Sequence, residues 1–287
     1  MTDVTAASPK IRPLTLAEVE TLVDWAAGEG WNPGRNDAAA FHAADPDGFL
    51  GGFVGGEMVS GISAVAYGAD FGFIGLYICR PDMRGKGYGR AVWDAGMARL
   101  GGRTVGLDGV PAQQANYASM GFVSAYRTFR YSGCLGSAYS PVAGAGGDTR
   151  AFTPDRLDAI AAFDAGCFPA PRRPFLERWL APPHVALIAA EAGAIEGYGV
   201  ARACREGFKI GPLFARGPAT AECLLHELAQ ACGGAIHIDV PETQAGFAAR
   251  LQQAGLAQGF ETARMYRGPA PGLPLHAIYG VTTLELG

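Results

Sequence analysis

The chain repeats itself once along its 287 residues. Arg12-Pro-Leu-Thr15, opening a helix-like run to Trp25, returns 138 residues later as Arg150-Ala-Phe-Thr153, running on to Phe163. Gly72-Phe-Ile-Gly75 with Arg80 returns as Gly207-Phe-Lys-Ile-Gly211 with Arg216. Val105-Gly-Leu-Asp108-Gly-Val-Pro111 returns as Ile236-His-Ile-Asp239-Val-Pro241, and Arg130-Tyr131 as Arg264-Met265-Tyr266. A period near 135 residues is far too long for a stacked solenoid unit, so it marks a duplicated domain. Two similar α/β domains are expected at residues 10–133 and 149–287, with the Gly/Ser/Ala-rich stretch 134–148 as linker.

Within the first copy, apolar runs of strand length fall at 48–55, 58–67, 72–79, 103–108 and 122–131. Helical spacing covers 15–27, 88–99 and 111–119. Thr15 is placed to cap the first helix, and Thr153, followed by Pro154, to cap its counterpart.

Composition narrows the function. Apolar residues at 49% and charged residues at 17% describe a globular chain with ample core, and a net charge of −4 without any dense Lys/Arg run argues against nucleic acid as partner. The six cysteines form no Cys-x-x-Cys pair and no metal-ligand spacing with the five histidines. They read as reduced thiols of a cytoplasmic protein. His237-x-Asp239 lacks an evident third ligand, so no metal is expected. Met1 to Pro9 has no apolar signal core, and the most apolar stretch, Val185 to Ala203, is broken by Glu191 and Glu196, so no membrane contact is expected.

The chemistry is concentrated in Arg84-Gly85-Lys86-Gly87-Tyr88-Gly89-Arg90, which follows the apolar run Phe73–Cys79 and opens a helix. Glycines at alternate positions let backbone N–H groups converge, and the helix adds its positive dipole end, so the loop suits a pyrophosphate. The P-loop does not fit, because Lys86 is followed by Gly87, and the glycine spacing is not that of the Rossmann fingerprint. What fits is Arg/Gln-x-x-Gly-x-Gly/Ala, with Arg84, Gly87 and Gly89 in register. The loop resembles the acyl-CoA loop of the GNAT N-acetyltransferase superfamily, and Tyr117-Ala-Ser-Met-Gly121-Phe122 resembles that family's Tyr-x-x-x-Gly-Phe segment.

The resemblance implies acetyl-CoA as co-substrate, in a cleft where two parallel strands splay within a mixed, mainly antiparallel sheet flanked by helices. Tyr77, Ile78 and Cys79 would pair with the pantetheine arm and polarise the thioester carbonyl, and Gly85 to Arg90 with Arg84 would hold the pyrophosphate. Tyr117 would be the general acid toward the thiolate, since a phenol stays protonated at neutral pH. Many members carry an asparagine where this chain has Val110, so either Asn116 replaces it or the contact is absent. For the base the sequence offers Asp108 at a strand end and Asp70 before the central strand. Trp31 and Asn32, in a Gly/Pro-flanked loop, are expected to border the acceptor pocket.

The second copy differs where it matters. Arg216-Gly-Pro-Ala-Thr-Ala-Glu222 keeps one glycine, and Pro218 removes a backbone donor. Leu251 stands where Tyr117 would be. Nearly the whole chain thus resembles bacterial tandem GNAT proteins with a degenerate C-terminal domain, which implies direct acyl transfer to a small-molecule or peptide amine. A homodimer is compatible with the resemblance. The alternative, a CoA-binding sensor or scaffold without catalysis, is set against it by Tyr117 and the loop both being intact.

Overall fold

The computed structural model describes residues 8–136, 139–141 and 148–287. Residues 1–7 and, within the expected linker, 137–138 and 142–147 lie outside the described residues. The first half runs β1 (Lys10–Pro13), α1 (Leu16–Gly28), α2 (Asp37–Ala44), β2 (Phe49–Val54), β3 (Glu57–Tyr67), β4 (Phe71–Cys79), α3 (Tyr88–Leu100), β5 (Thr104–Gly109), α4 (Pro111–Ser119) and β6 (Val123–Gly133). The second runs β7 (Asp148–Ala151), α5 (Leu157–Asp164), α6 (Arg173–Trp179), β8 (Val185–Glu191), β9 (Ala194–Ala203), β10 (Phe208–Ala215), α7 (Pro218–Cys232), β11 (Ile236–Pro241), α8 (Ala245–Gln253), β12 (Ala257–Arg267) and β13 (Ile278–Gly280).

The strands form one continuous sheet in the order β1-β2-β3-β4-β5-β12-β6-β11-β10-β9-β8-β7, with β13 on β10. All pairings are antiparallel except β4 with β5 and β10 with β11. The order contains an exchange. β12, from the second half, completes the first half's sheet beside β5, and β6, from the first half, completes the second half's sheet beside β11.

The repeated Asp and Arg explain how this crossing is held. Asp108 on β5 faces Arg264 on β12, and Asp239 on β11 faces Arg130 on β6, in direct register across the exchanged strands. Each pair is bidentate and buried: Arg264 donates to Asp108 at 2.9 and 2.8 Å, Arg130 to Asp239 at 2.8 and 2.9 Å. Paired so, the charges are tolerable in the sheet, whereas losing one partner would strand the other out of water.

Alternating side chains serve two layers. Leu22 of α1 lies over Gly61 on one face, and Gly96 of α3 approaches Ala64 and Ile62 on the other. The α1/α2 face shares one apolar core with α5 and α6 of the second half, where Phe41 stacks on Trp179 and Phe168 sits edge-on to Tyr67. Each half has an outer core of its own under α3 or α7.

The expected first-copy elements appear within two residues of their predicted bounds. β1 and α2 carry too short a pattern to be read from sequence, and both emerge from tertiary contacts: β1 pairs with β2, and α2 packs on α6. Thr15 forms a full capping box with Glu18, worth about 1 kcal/mol. Thr153 does not repeat it. Pro154 to Arg156 wind into a 3-10 turn before α5, and no side chain caps that turn.

Candidate functional site

The parallel pairing of β4 with β5 ends at Ile74 and Leu107. Beyond it β4 carries a bulge, with Leu76 and Tyr77 opposite the single residue Ile62 of β3 and Leu76 at φ 45°. A bulge bends its strand. β4 therefore turns away from β5, and a cavity of about 500 Å³ opens between them. Its walls include Tyr77, Ile78, Cys79, Arg84, Gly89, Asn116 and Tyr117, so the loop, the strand and the tyrosine read from sequence converge on one space.

At the mouth, Gly85 and Gly87 hold φ 76° and 85°, and Gly87 is the N-cap residue of α3. Among the described residues, the amides of Gly85, Lys86 and Gly87 have no protein acceptor. A Cβ built on Gly87 meets nothing within 4 Å. Donors without partners at a helix N-terminus, with open space before them, form an anion cradle. Of the loop's side chains, Tyr88 is buried core, Arg90 pairs with Asp94, and the Lys86 ammonium rests on the Asp82 carbonyl at 3.1 Å. Tyr88 and Lys86 thus offer the cradle their backbone. Arg84 donates to the Cys79 carbonyl at 3.0 Å and pairs with Glu29 at the cavity rim.

Tyr117 lies on α4 with its ring stacked on Trp93, centroids 5.5 Å apart. Among the described residues its hydroxyl makes no hydrogen bond, and burial pushes its pKa up to about 12. Burial also raises the Cys79 thiol, toward which the Gly89 amide points. A thiol kept protonated is a poor nucleophile.

Three expected site residues take different roles. Asp70 is exposed at the start of β4, where its carbonyl accepts from the Thr104 amide. At about 3.3 Å per strand residue it lies on the order of 15 Å from the cleft. Asn32, at φ 52°, clamps the backbone of Glu206 in the second half through both its amide atoms and does not line the cavity. Asp108 does line the cavity, but each of its oxygens accepts from Arg264 in a buried bidentate pair, so its carboxylate is engaged in locking the exchanged strands. Burial drives its carboxyl upward against the pull of Arg264. At Asp239, burial is outweighed by Arg130 with Lys209 and Arg202, and the carboxyl sits below its ordinary value.

Trp31 is on the cavity wall as expected, its carbonyl held by Arg130 at 3.2 Å and Lys209 at 3.0 Å. Asn116 reaches the wall as well, and its side chain donates to Gln113. Sequence reasoning missed Glu29, Phe260, Thr262, Leu284 and Glu285. The last four come from the second half. Phe260 and Thr262 arrive with the exchanged strand β12, Leu284 and Glu285 on the segment that follows β13, and neither pair is placed by a local motif.

The second half carries the same device in closed form. β10 has a matching bulge at Gly211 and Pro212, opposite Val200. The space beside it is filled by β13, which pairs with Leu213 and Phe214 of β10, while the Val281 amide donates to the Asp239 carbonyl of β11 at 2.9 Å. Gly217, before α7, is extended at φ −153°, and Leu251 is fully buried. Among the described residues no cluster of metal-ligating side chains occurs, and no helix is long and apolar enough to cross a membrane.

Comparison with known proteins agrees with this fold. A model described as the acetyltransferase (GNAT) family matches residues 16–123, and one described as an acetyltransferase (GNAT) domain matches residues 160–280. With a relative 34% identical over 96% of this chain, the chain belongs to the GNAT acyltransferase family, as a tandem of two such domains. That relative is the holothin acyltransferase of Pseudoalteromonas sp. (strain SANK 73390), of which 94% is covered. A putative acetyltransferase from Pyrococcus horikoshii shares the fold at a TM-score of 0.80, with 23% identity over 100% of this chain and 99% of that one. A tandem GNAT protein from the clavulanic acid biosynthesis pathway shares it at 0.61, with 16% identity over 91% and 99%.

Proposed function

We propose that the protein transfers an acetyl group from acetyl-CoA to the amine of a small molecule or peptide. The observation that carries this reading is a loop of backbone amides without protein acceptors, flanked by the cavity residues Arg84 and Gly89, beside a hydroxyl without a partner at Tyr117 on the same cavity's wall. The amides of residues 85–87 and the α3 dipole suit the pyrophosphate of CoA. The freed edge of β4 at Tyr77 to Cys79 suits the amide-bearing pantetheine arm, and N–H groups there would polarise the thioester carbonyl. Tyr117, protonated well beyond neutral pH, suits the role of donor to the departing thiolate. Direct attack by the amine fits better than an acyl-cysteine, because burial holds the Cys79 thiol protonated.

The relative, a holothin acyltransferase, supports acyl transfer as the reaction. A sensor or scaffold would need the cradle but not a proton donor at the thioester end, which is why Tyr117 favours catalysis. The test is incubation of the full chain with acetyl-CoA and a panel of primary amines, following thiol release and product mass. Release of CoA with a product heavier by one acetyl group is expected. CoA binding without turnover of any amine would favour the sensor.

A further inference from the structure

Three carboxylates line the cavity: Glu29, Asp108 and Glu285. Glu29 is paired with Arg84, and Asp108 with Arg264. Glu285 is different. Only 4% of the residue is exposed, and its Oε2 is buried without a hydrogen-bond partner. Among the described residues no cation lies within ion-pair distance of it. Such a group is costly to bury and persists where its surroundings over-determine it.

The backbone around it is over-determined. The amides of Glu285 and Leu286 both donate to Thr283 Oγ1, at 3.0 and 2.9 Å. The Glu285 carbonyl accepts from Ser63 Oγ at 3.2 Å and lies so close to Gly75 that a Cβ there would stand 2.0 Å from it. Gly75 is the residue at which β4 leaves β5, so Glu285 is fastened at the fork of the cleft. Cations are near: Arg130 of β6 pairs with Asp239 and Arg202 of β9 with Asp37, while Lys209 of β10 donates to the Trp31 carbonyl and feels Glu285 as its strongest charged neighbour, without reaching ion-pair distance. With Asp108 of β5 these are the charged groups whose fields reach Glu285. A backbone held at several points presents a side chain held at none.

We infer that Glu285, delivered by the segment after β13 of the second half, is the general base that takes the proton from the acceptor amine in the first half's cleft. The inference rests on the acetyl-transfer reading. As the nitrogen–carbon bond forms at the thioester carbonyl, an N–H proton passes to the Glu285 carboxylate. As the carbon–sulfur bond breaks, sulfur takes the Tyr117 proton. Exchange with solvent then returns Glu285 to its carboxylate and Tyr117 to its phenol, so the net reaction is amine plus thioester to amide plus thiol.

The test uses the full chain, acetyl-CoA and whichever amine of the panel releases thiol fastest. Glu285→Gln should lower kcat about 100-fold, leave the KM for acetyl-CoA within about twofold, and remove the acidic limb of the rate profile. Glu285→Asp, which keeps the charge but withdraws it by one methylene, should fall between the two, whereas a purely electrostatic role would leave it near wild type. Independently of turnover, a water-soluble carbodiimide with glycine ethyl ester should amidate Glu285 and spare Asp108, read by peptide mass. A Glu285→Gln enzyme within threefold of wild-type kcat, or a Glu285 that resists amidation while surface carboxylates react, would overturn the assignment. Absence of turnover in the wild type with every amine would overturn acetyl transfer itself, which separates the two failures.

Discussion

The two clefts of this chain are built alike and end differently. In both, a parallel strand pair stops where the inner strand bulges, at Leu76 and Tyr77 in β4 and at Gly211 and Pro212 in β10. In the first half the fork stays open, and the loop before α3, whose Arg84 and Gly89 line it, keeps its amides at residues 85–87 without protein acceptors. In the second half β13 occupies the fork, and the segment ahead of α7 is extended and runs into Pro218. The fold is therefore not what separates a site from its copy. One loop, one tyrosine and one inserted strand are enough, which is why function has to be argued from the site. The closed copy also serves the open one, because β12 and the residues after β13 wall the first cleft.

If the halves depend on each other through the exchanged strands, removing one carboxylate of the crossing pairs should hurt folding more than any cleft substitution hurts catalysis. Asp239→Ala leaves Arg130 buried without its partner and should cost about 3–5 kcal/mol, read as a fall in the urea midpoint. A loss under about 1 kcal/mol would mean that the crossing is held by backbone pairing alone. The next effect lies inside the open cleft. Tyr117→Phe keeps the ring on Trp93 and should bind CoA normally while kcat falls about 100-fold, equivalent to about 2.7 kcal/mol. Its raised pKa carries a sign: on the proposed donor role the protonated form is the active one, so loss of the Tyr117 proton should depress the rate only as pH rises toward about 12. A wild-type limb near 10 that disappears in Tyr117→Phe would show the phenol to be as solvated as a free tyrosine.

Much of the open cleft was legible because its signals are local. Glycines at 85, 87 and 89 ahead of a helix, and a tyrosine four residues before Gly121-Phe122, fall on single elements, and their meaning survives without knowing the sheet order. The duplication was legible too, and it located Asp108 and Asp239 as equivalents. Their role was not. A carboxylate at a strand end looks the same whether it faces a substrate or an arginine, and the arginine facing Asp108 lies 156 residues away on a strand from the other copy. Asp70 and Asn32 failed for related reasons: the first depends on which end of β4 opens, the second on a clamp to Glu206 across the two halves. Glu285 sits on a segment with neither helical nor strand periodicity, and only its seat against Gly75 makes it visible.

The claim that one cleft binds and its copy does not is tested most directly by counting. Calorimetric titration of the full chain with CoA should give one site per chain, and Gly87→Glu, which puts a side chain and a negative charge into the cradle, should abolish it. Two sites per chain, or a Gly87→Glu protein that binds CoA as the wild type does, would contradict the account.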